Sequence, residues 1–171
     1  MSKISQRQGI VRNAVICVAS AGILVAAIGQ AGAQSQRPVS ADPAAVVKER
    51  ESAMKSMGDA MKKISAYVKN EGGTVEGVRE GAAAIRQASQ KIAPSLFPAD
   101  TGIGRIEGSE AKPEIWQQWP KFEQAAARLV TAGDELSSAA EGGDRAAIAR
   151  QFAQVGQSCG GCHDDFRQKK N

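Results

Sequence analysis

The chain has a single histidine in 171 residues, His163, and only three cysteines, Cys17, Cys159 and Cys162. Tetrahedral structural zinc takes four ligands, usually from two ligand pairs. No second pair accompanies Cys159, Cys162 and His163, so a zinc finger or ribbon is excluded. The chain has no convincing strand pattern, so the βαβ setting expected of a redox-active dithiol is missing. The apolar run from Ala14 to Ile28 is short for a membrane span, which needs about 20 residues. There is no twin arginine and no constellation of catalytic acids and bases.

What is present is concentrated near the C-terminus, in Cys159-Gly160-Gly161-Cys162-His163. Cys-x-x-Cys-His is the attachment pattern for c-type haem. Cys159 and Cys162 are one helical turn apart, so both sulfurs face one side and can form thioethers to one ring. His163 is also one turn from Cys159, where its imidazole can stand under that ring and ligate the iron. One haem c, held through Cys159 and Cys162, is therefore expected, with His163 as an axial ligand.

Residues 1–33 read as a secretory signal: Lys3, Arg7 and Arg12 precede the apolar run, and Ala31-Gly32-Ala33 supplies small residues for cleavage. Cys17 follows bulky Ile16, so it does not look like a lipid attachment site. Export to the periplasm agrees with the motif, because covalent haem attachment takes place outside the cytoplasm. The whole chain carries +4, and removal of three leader cations leaves +1. Two haem propionates would turn that slightly negative, so charge gives no argument for nucleic acid. After the leader come a short segment, 34–41, and one domain-sized stretch, 42–171.

That stretch contains four amphipathic stripes. Asp42-Pro43 opens the first helix, whose inward face runs Val47, Arg50, Met54, Met57, Met61, Ile64, Val68 before Asn70 and Gly72-Gly73 end it. Thr74 caps a second helix, with Val75, Val78, Ala82, Ile85, Ser89 and Ile92 inward and an end before Pro94. A third begins near Pro113 and runs from Trp116 to Ala140, with Pro120 either tolerated early in the helix or marking a restart near Trp119. Gly142-Gly143 closes it, Asp144 caps the fourth, and Ile148, Phe152, Val155, Cys159, Cys162 and Phe166 face inward. Short turns at 70–73 and 141–144 predict an all-α, antiparallel four-helix bundle with the haem near its C-terminal end. The connection from Pro94 to Lys112 is long enough either to cover a haem edge or to serve as a solvated crossover.

A second axial ligand must come from upstream, because no methionine follows the motif. Only Met54, Met57 and Met61 are available, all on the first helix, and at least two of them must simply fill the core. Arg50 lies on the same inward stripe, where an unpaired charge is costly. A haem propionate is one partner for it; snorkelling out of the bundle end is the other reading. If Arg50 marks the haem end, Met54 is the methionine nearest the iron.

The mature region resembles the class II c-type cytochromes, meaning cytochrome c′ and its low-spin c556-type relatives. The resemblance spans roughly residues 42–170. It rests on Arg50-x-x-x-Met54-Lys55-x-x-Gly58, Leu96-Phe97-Pro98, Lys112-Pro113-Glu114-Ile115-Trp116 and the run from Cys159 to Arg167. In that family, high-spin members commonly have leucine or another non-ligating residue where this chain has Met54, and their apolar distal pocket admits small gases. Low-spin members have methionine there. The resemblance thus implies ligation by His163 and Met54 and a role as a one-electron carrier. A slip by one turn would make Met57 the ligand, and Met54 beside a five-coordinate iron is the other arrangement. By the same resemblance Arg167 sits on the proximal side of the haem. Otherwise it is a solvated charge in the last helical turn, where Lys169 and Lys170 also suit the helix dipole.

Three functions compete on this reading. The leading expectation is a periplasmic electron carrier, not an enzyme, which docks briefly with redox partner proteins and has no stable membrane anchor. The alternative is a five-coordinate cytochrome c′ that binds nitric oxide or carbon monoxide. A remote alternative is a thiol–disulfide oxidoreductase using Cys159 and Cys162. Members of the family are often dimers through their early helices, so a homodimer is among the expected states.

Overall fold

The computed structural model describes residues 42–169. The signal segment 1–33, the stretch 34–41 and Cys17 lie outside the described residues. Four long helices and two one-turn helices follow in order: α1 (Pro43–Val68), α2 (Val75–Ser89), α3 (Ile92–Ser95), α4 (Glu114–Gln117), α5 (Trp119–Gly142) and α6 (Arg145–Phe166).

The helix ends follow from local chemistry. The Asp42 carboxylate accepts from Ala44 N with Pro43 at the first helical position, and the Thr74 hydroxyl accepts from Gly77 N. Asp144 caps α6 in the same way, accepting from Ala146 N. Gly143, at φ 71°, ends α5 in the left-handed conformation that glycine adopts without steric cost. The turn after α1 needs the same freedom at Gly72 (φ 106°) and Gly73 (φ 88°).

Two expected helices are each broken in two. Gln118 leaves helical geometry (φ −123°, ψ 43°), and α5 starts afresh at Trp119 with Pro120 in its first turn, where no N–H is required. The second stripe does not run on to Ile92 within one helix. α2 stops at Ser89, and Ile92 belongs to the separate turn α3, although it is still buried.

α1 packs on α2, α2 on α5 and α5 on α6, while α1 meets α6 more sparsely. This is an antiparallel four-helix bundle. Its fully buried side chains include Ile64, Val78, Ile85, Phe122, Leu136, Ile148 and Val155, one or more from each long helix. Phe122 is the hub of an aromatic cluster, with Phe97, Trp119 and Phe166 at ring-centroid distances of 4.8, 5.3 and 5.4 Å. Among the described residues no helix is long and apolar enough to cross a membrane.

Candidate cofactor site

A cavity of about 720 Å³ is lined chiefly by α1, α5, α6 and the crossover segment. Met54, Met57 and Met61 line it from α1, and Phe122 and Leu129 from α5. Cys159, Cys162 and His163 line it from α6, so the motif read from the sequence faces one space.

A Cβ built on Gly156 would stand 3.9 Å from Met61 Cε, so α6 and α1 approach each other at these two positions. α1 and α6 run antiparallel and each rises about 1.5 Å per residue. Seven residues from Met61 back to Met54, and seven from Gly156 on to His163, therefore climb the same distance toward the same end. By this count Met54 comes about level with His163, while Arg167 follows the end of α6 in extended geometry.

Burial shapes the titration of the motif. It pushes both thiols up, Cys162 to about 11, where the neighbouring Cys159 and Asp165 add to the effect and Arg128 opposes it. The His163 imidazole is pushed down by burial and then by the Arg167 charge, against the pull of Asp164 and Glu110. The neutral form that ligates metal is therefore favoured.

Arg50 is 5% exposed, so it does not snorkel. Its charge is met inside the protein. Nη1 donates to Leu96 O and Thr101 Oγ1, both at 3.3 Å; Nη2 donates to Thr101 O and Ser109 Oγ, both at 2.9 Å. The guanidinium carbon also lies 4.6 Å from the centre of the Phe97 ring. Arg50 also borders the cavity, so its guanidinium is held by neutral oxygens of the crossover segment at the cavity wall.

Arg167 is brought to the cavity by a short pairing of backbones. Lys112 N donates to Phe166 O at 3.0 Å and Gln168 N to Glu110 O at 2.8 Å, an isolated bridge between Ala111 and Arg167. The Arg167 Nε then donates to Glu110 Oε2 at 2.7 Å, and both side chains line the cavity. Lys112 Nζ donates to the carbonyls of Asp164 and Asp165, which the end of α6 leaves without helical partners. Helical periodicity could not single out Thr101, Ser109 or Glu110, because all three lie in the irregular crossover. Its length was the only signal.

Two thiols and an imidazole on one wall of a predominantly apolar cavity, with Lys55 and Arg167 among its lining residues, suit a covalently held haem. Fold and site together define a helical-bundle c-type cytochrome. The family model described as Cytochrome C' matches residues 45–167, and the chain belongs to that family. A cytochrome c′ of Rhodopseudomonas palustris is 36% identical over 154 residues, covering 88% of this chain and 94% of that protein. A cytochrome c-556 of Agrobacterium tumefaciens is 35% identical over 124 residues, 72% of this chain and 98% of the relative. Among solved structures, a mutant cytochrome c′ of Alcaligenes xylosoxidans, in its nitric oxide complex, superposes with a TM-score of 0.63 at 30% identity. That match covers 76% of this chain and 98% of the other. The protein therefore carries covalent haem c, which supplies one-electron iron chemistry.

Proposed function

We propose that this protein works as a cytochrome c′: His163 is the proximal ligand, and the α1 side of the cavity is a distal pocket that takes nitric oxide or carbon monoxide. The cavity carries this reading. It faces His163 with a predominantly apolar wall that would exclude water while admitting a neutral diatomic molecule. The family match and the nitric oxide complex of the structural neighbour support it. The expectation drawn from the sequence put His163–Met54 ligation first; the comparisons favour the alternative that was placed second.

One arrangement keeps the low-spin reading in play: Met54 on α1 and His163 on α6 line the same cavity. A thioether there could fill the sixth position, and a cytochrome c-556 is as close to this chain as the cytochromes c′. Under that reading the protein is an electron carrier. Transfer of single electrons to partner proteins, export to the periplasm and homodimer formation belong to both readings.

The thiol–disulfide alternative fits the site poorly. Redox-active Cys-x-x-Cys thiols have lowered pKa values, whereas burial raises both of these.

Carbon monoxide titration of the reduced holoprotein tests the main reading. Saturable binding with a matching shift of the optical spectrum is expected. A spectrum unmoved by carbon monoxide would overturn the reading and leave the electron carrier.

A further inference from the structure

The crossover between α3 and α4 is folded on itself. Thr101 Oγ1 donates to Pro98 O and Ser109 Oγ to Thr101 O, each at 2.8 Å, while Ile103 N donates to Ala111 O at 2.9 Å. Loops of this kind, compact with their ends drawn together, are frequently functional. This one is fastened at two places on opposite sides of the cavity. On the α1 side, Arg50 holds it through the four hydrogen bonds to Leu96, Thr101 and Ser109. Gly108, at φ 82°, lies so close to α1 that a Cβ on it would stand 3.4 Å from Glu51 Oε1. On the α6 side, the backbone bridge at Ala111, the Glu110–Arg167 pair and Lys112 hold it to the turn that contains His163. Between the fastenings, Gly108, Ser109, Glu110 and Ala111 form part of the cavity wall.

We propose that this segment is a strap that fixes the spacing between α1 and α6 across the haem, and that Arg50 is the positioning residue that fastens it. Arg50 is one turn from Met54, and Arg167 is one turn from His163. A single bonded segment thus connects the helix that supplies the distal residue with the helix that supplies the proximal ligand. α1 and α6 touch each other only sparsely, and the strap adds a direct bonded link between them. The proposal rests on the reading that the cavity holds the haem, and it holds whichever residue occupies the sixth position. It also accounts for the buried arginine: an unpaired guanidinium there would be costly, and the backbone and hydroxyl oxygens of the loop accept its hydrogen bonds.

The test compares the wild-type holoprotein with Arg50→Met, Arg50→Lys, Ser109→Ala and, at the far end of the bundle, Arg145→Met. Hydrogen exchange is followed at the amides of Ile103, Lys112 and Gln168. The ferric optical spectrum and the rate of carbon monoxide association are followed in parallel. Arg50→Met should keep the covalent haem but speed exchange at these amides by about tenfold or more, as loss of a charge-assisted bond implies. It should also shift the ferric spectrum or the carbon monoxide rate. Arg50→Lys should restore part of both effects, Ser109→Ala should move both in the same direction by less, and Arg145→Met should move neither. Faster exchange with an unchanged spectrum and rate would overturn the proposal, because the loop would then be structural only. Unchanged exchange in Arg50→Met would overturn it as well. If Arg50→Met does not fold, Ser109→Ala decides by the same criteria. A wild type that binds no carbon monoxide contradicts the gas-binding function but not the strap, which is then judged on exchange and the ferric spectrum.

Discussion

Gly102 is seated against the ring of Trp116: a Cβ added to the glycine would stand 2.8 Å from Trp116 Cζ3 and 3.2 Å from Ala111 O. Neither neighbour can retreat easily. The indole is tied by Nε1, which donates to Phe97 O at 3.1 Å, and Ala111 O accepts from Ile103 N. Gly102→Ala should therefore destabilise the holoprotein by about 1–3 kcal/mol, in the range of overpacked sites. Guanidinium denaturation measures this, and an unchanged midpoint would show that the crossover is looser than described.

Gly156→Ala should do the opposite. Its Cβ would meet Met61 Cε at 3.9 Å, an ordinary contact, and the position is exposed and inside α6. Removing a mid-helix glycine should stabilise the chain by about 0.5–1 kcal/mol. The same denaturation experiment reads the gain.

The pH dependence of stability should differ between the haem-free and haem-bearing chains. Burial raises both cysteine thiols, Cys162 from about 9 to about 11. Between those values the unfolded chain has already lost its thiol proton while the folded chain keeps it. Unfolding then releases protons, so stability falls as pH rises through that window. In the holoprotein the sulfurs are thioethers and cannot titrate. The haem-free chain should thus lose stability from about pH 9 upward through these groups, and the holoprotein should lack that component. Melting temperatures across that range check the difference.

Much of this architecture could be read from the sequence, and the reasons are physical. Asp42, Thr74 and Asp144 cap helices because short polar side chains reach the first free N–H groups, a local rule that needs no tertiary knowledge. The inward stripes follow from the helical period, which also placed Cys159, Cys162 and His163 on the cavity. The break at Gln118 was half visible, through Pro120. The end of α2 at Ser89 carries no such mark, because Ile92 keeps the stripe going into α3. The sequence showed Arg50 as a charge on an apolar face, yet its partners Thr101 and Ser109 lie about 50 and 60 residues away in a segment without periodicity. Long-range polar pairing of that kind has no local signature.

The far end of the bundle should be separable from the site. Asp144 caps α6 at the end remote from His163, and Asp144→Ala should cost about 1 kcal/mol of stability. The ferric spectrum should be unchanged, since the substitution leaves the turn around His163 intact. A spectral change would mean that α6 transmits fraying along its whole length.

The most direct test of the central claim is the spin state of the ferric holoprotein, by electron paramagnetic resonance with an optical spectrum, in wild type and in Met54→Leu. The account predicts a high-spin signal that the substitution leaves essentially in place, as for an iron held by His163 with an open distal side. A low-spin wild type, with a methionine–iron charge-transfer band lost in Met54→Leu, would contradict it and make Met54 the sixth ligand of an electron carrier.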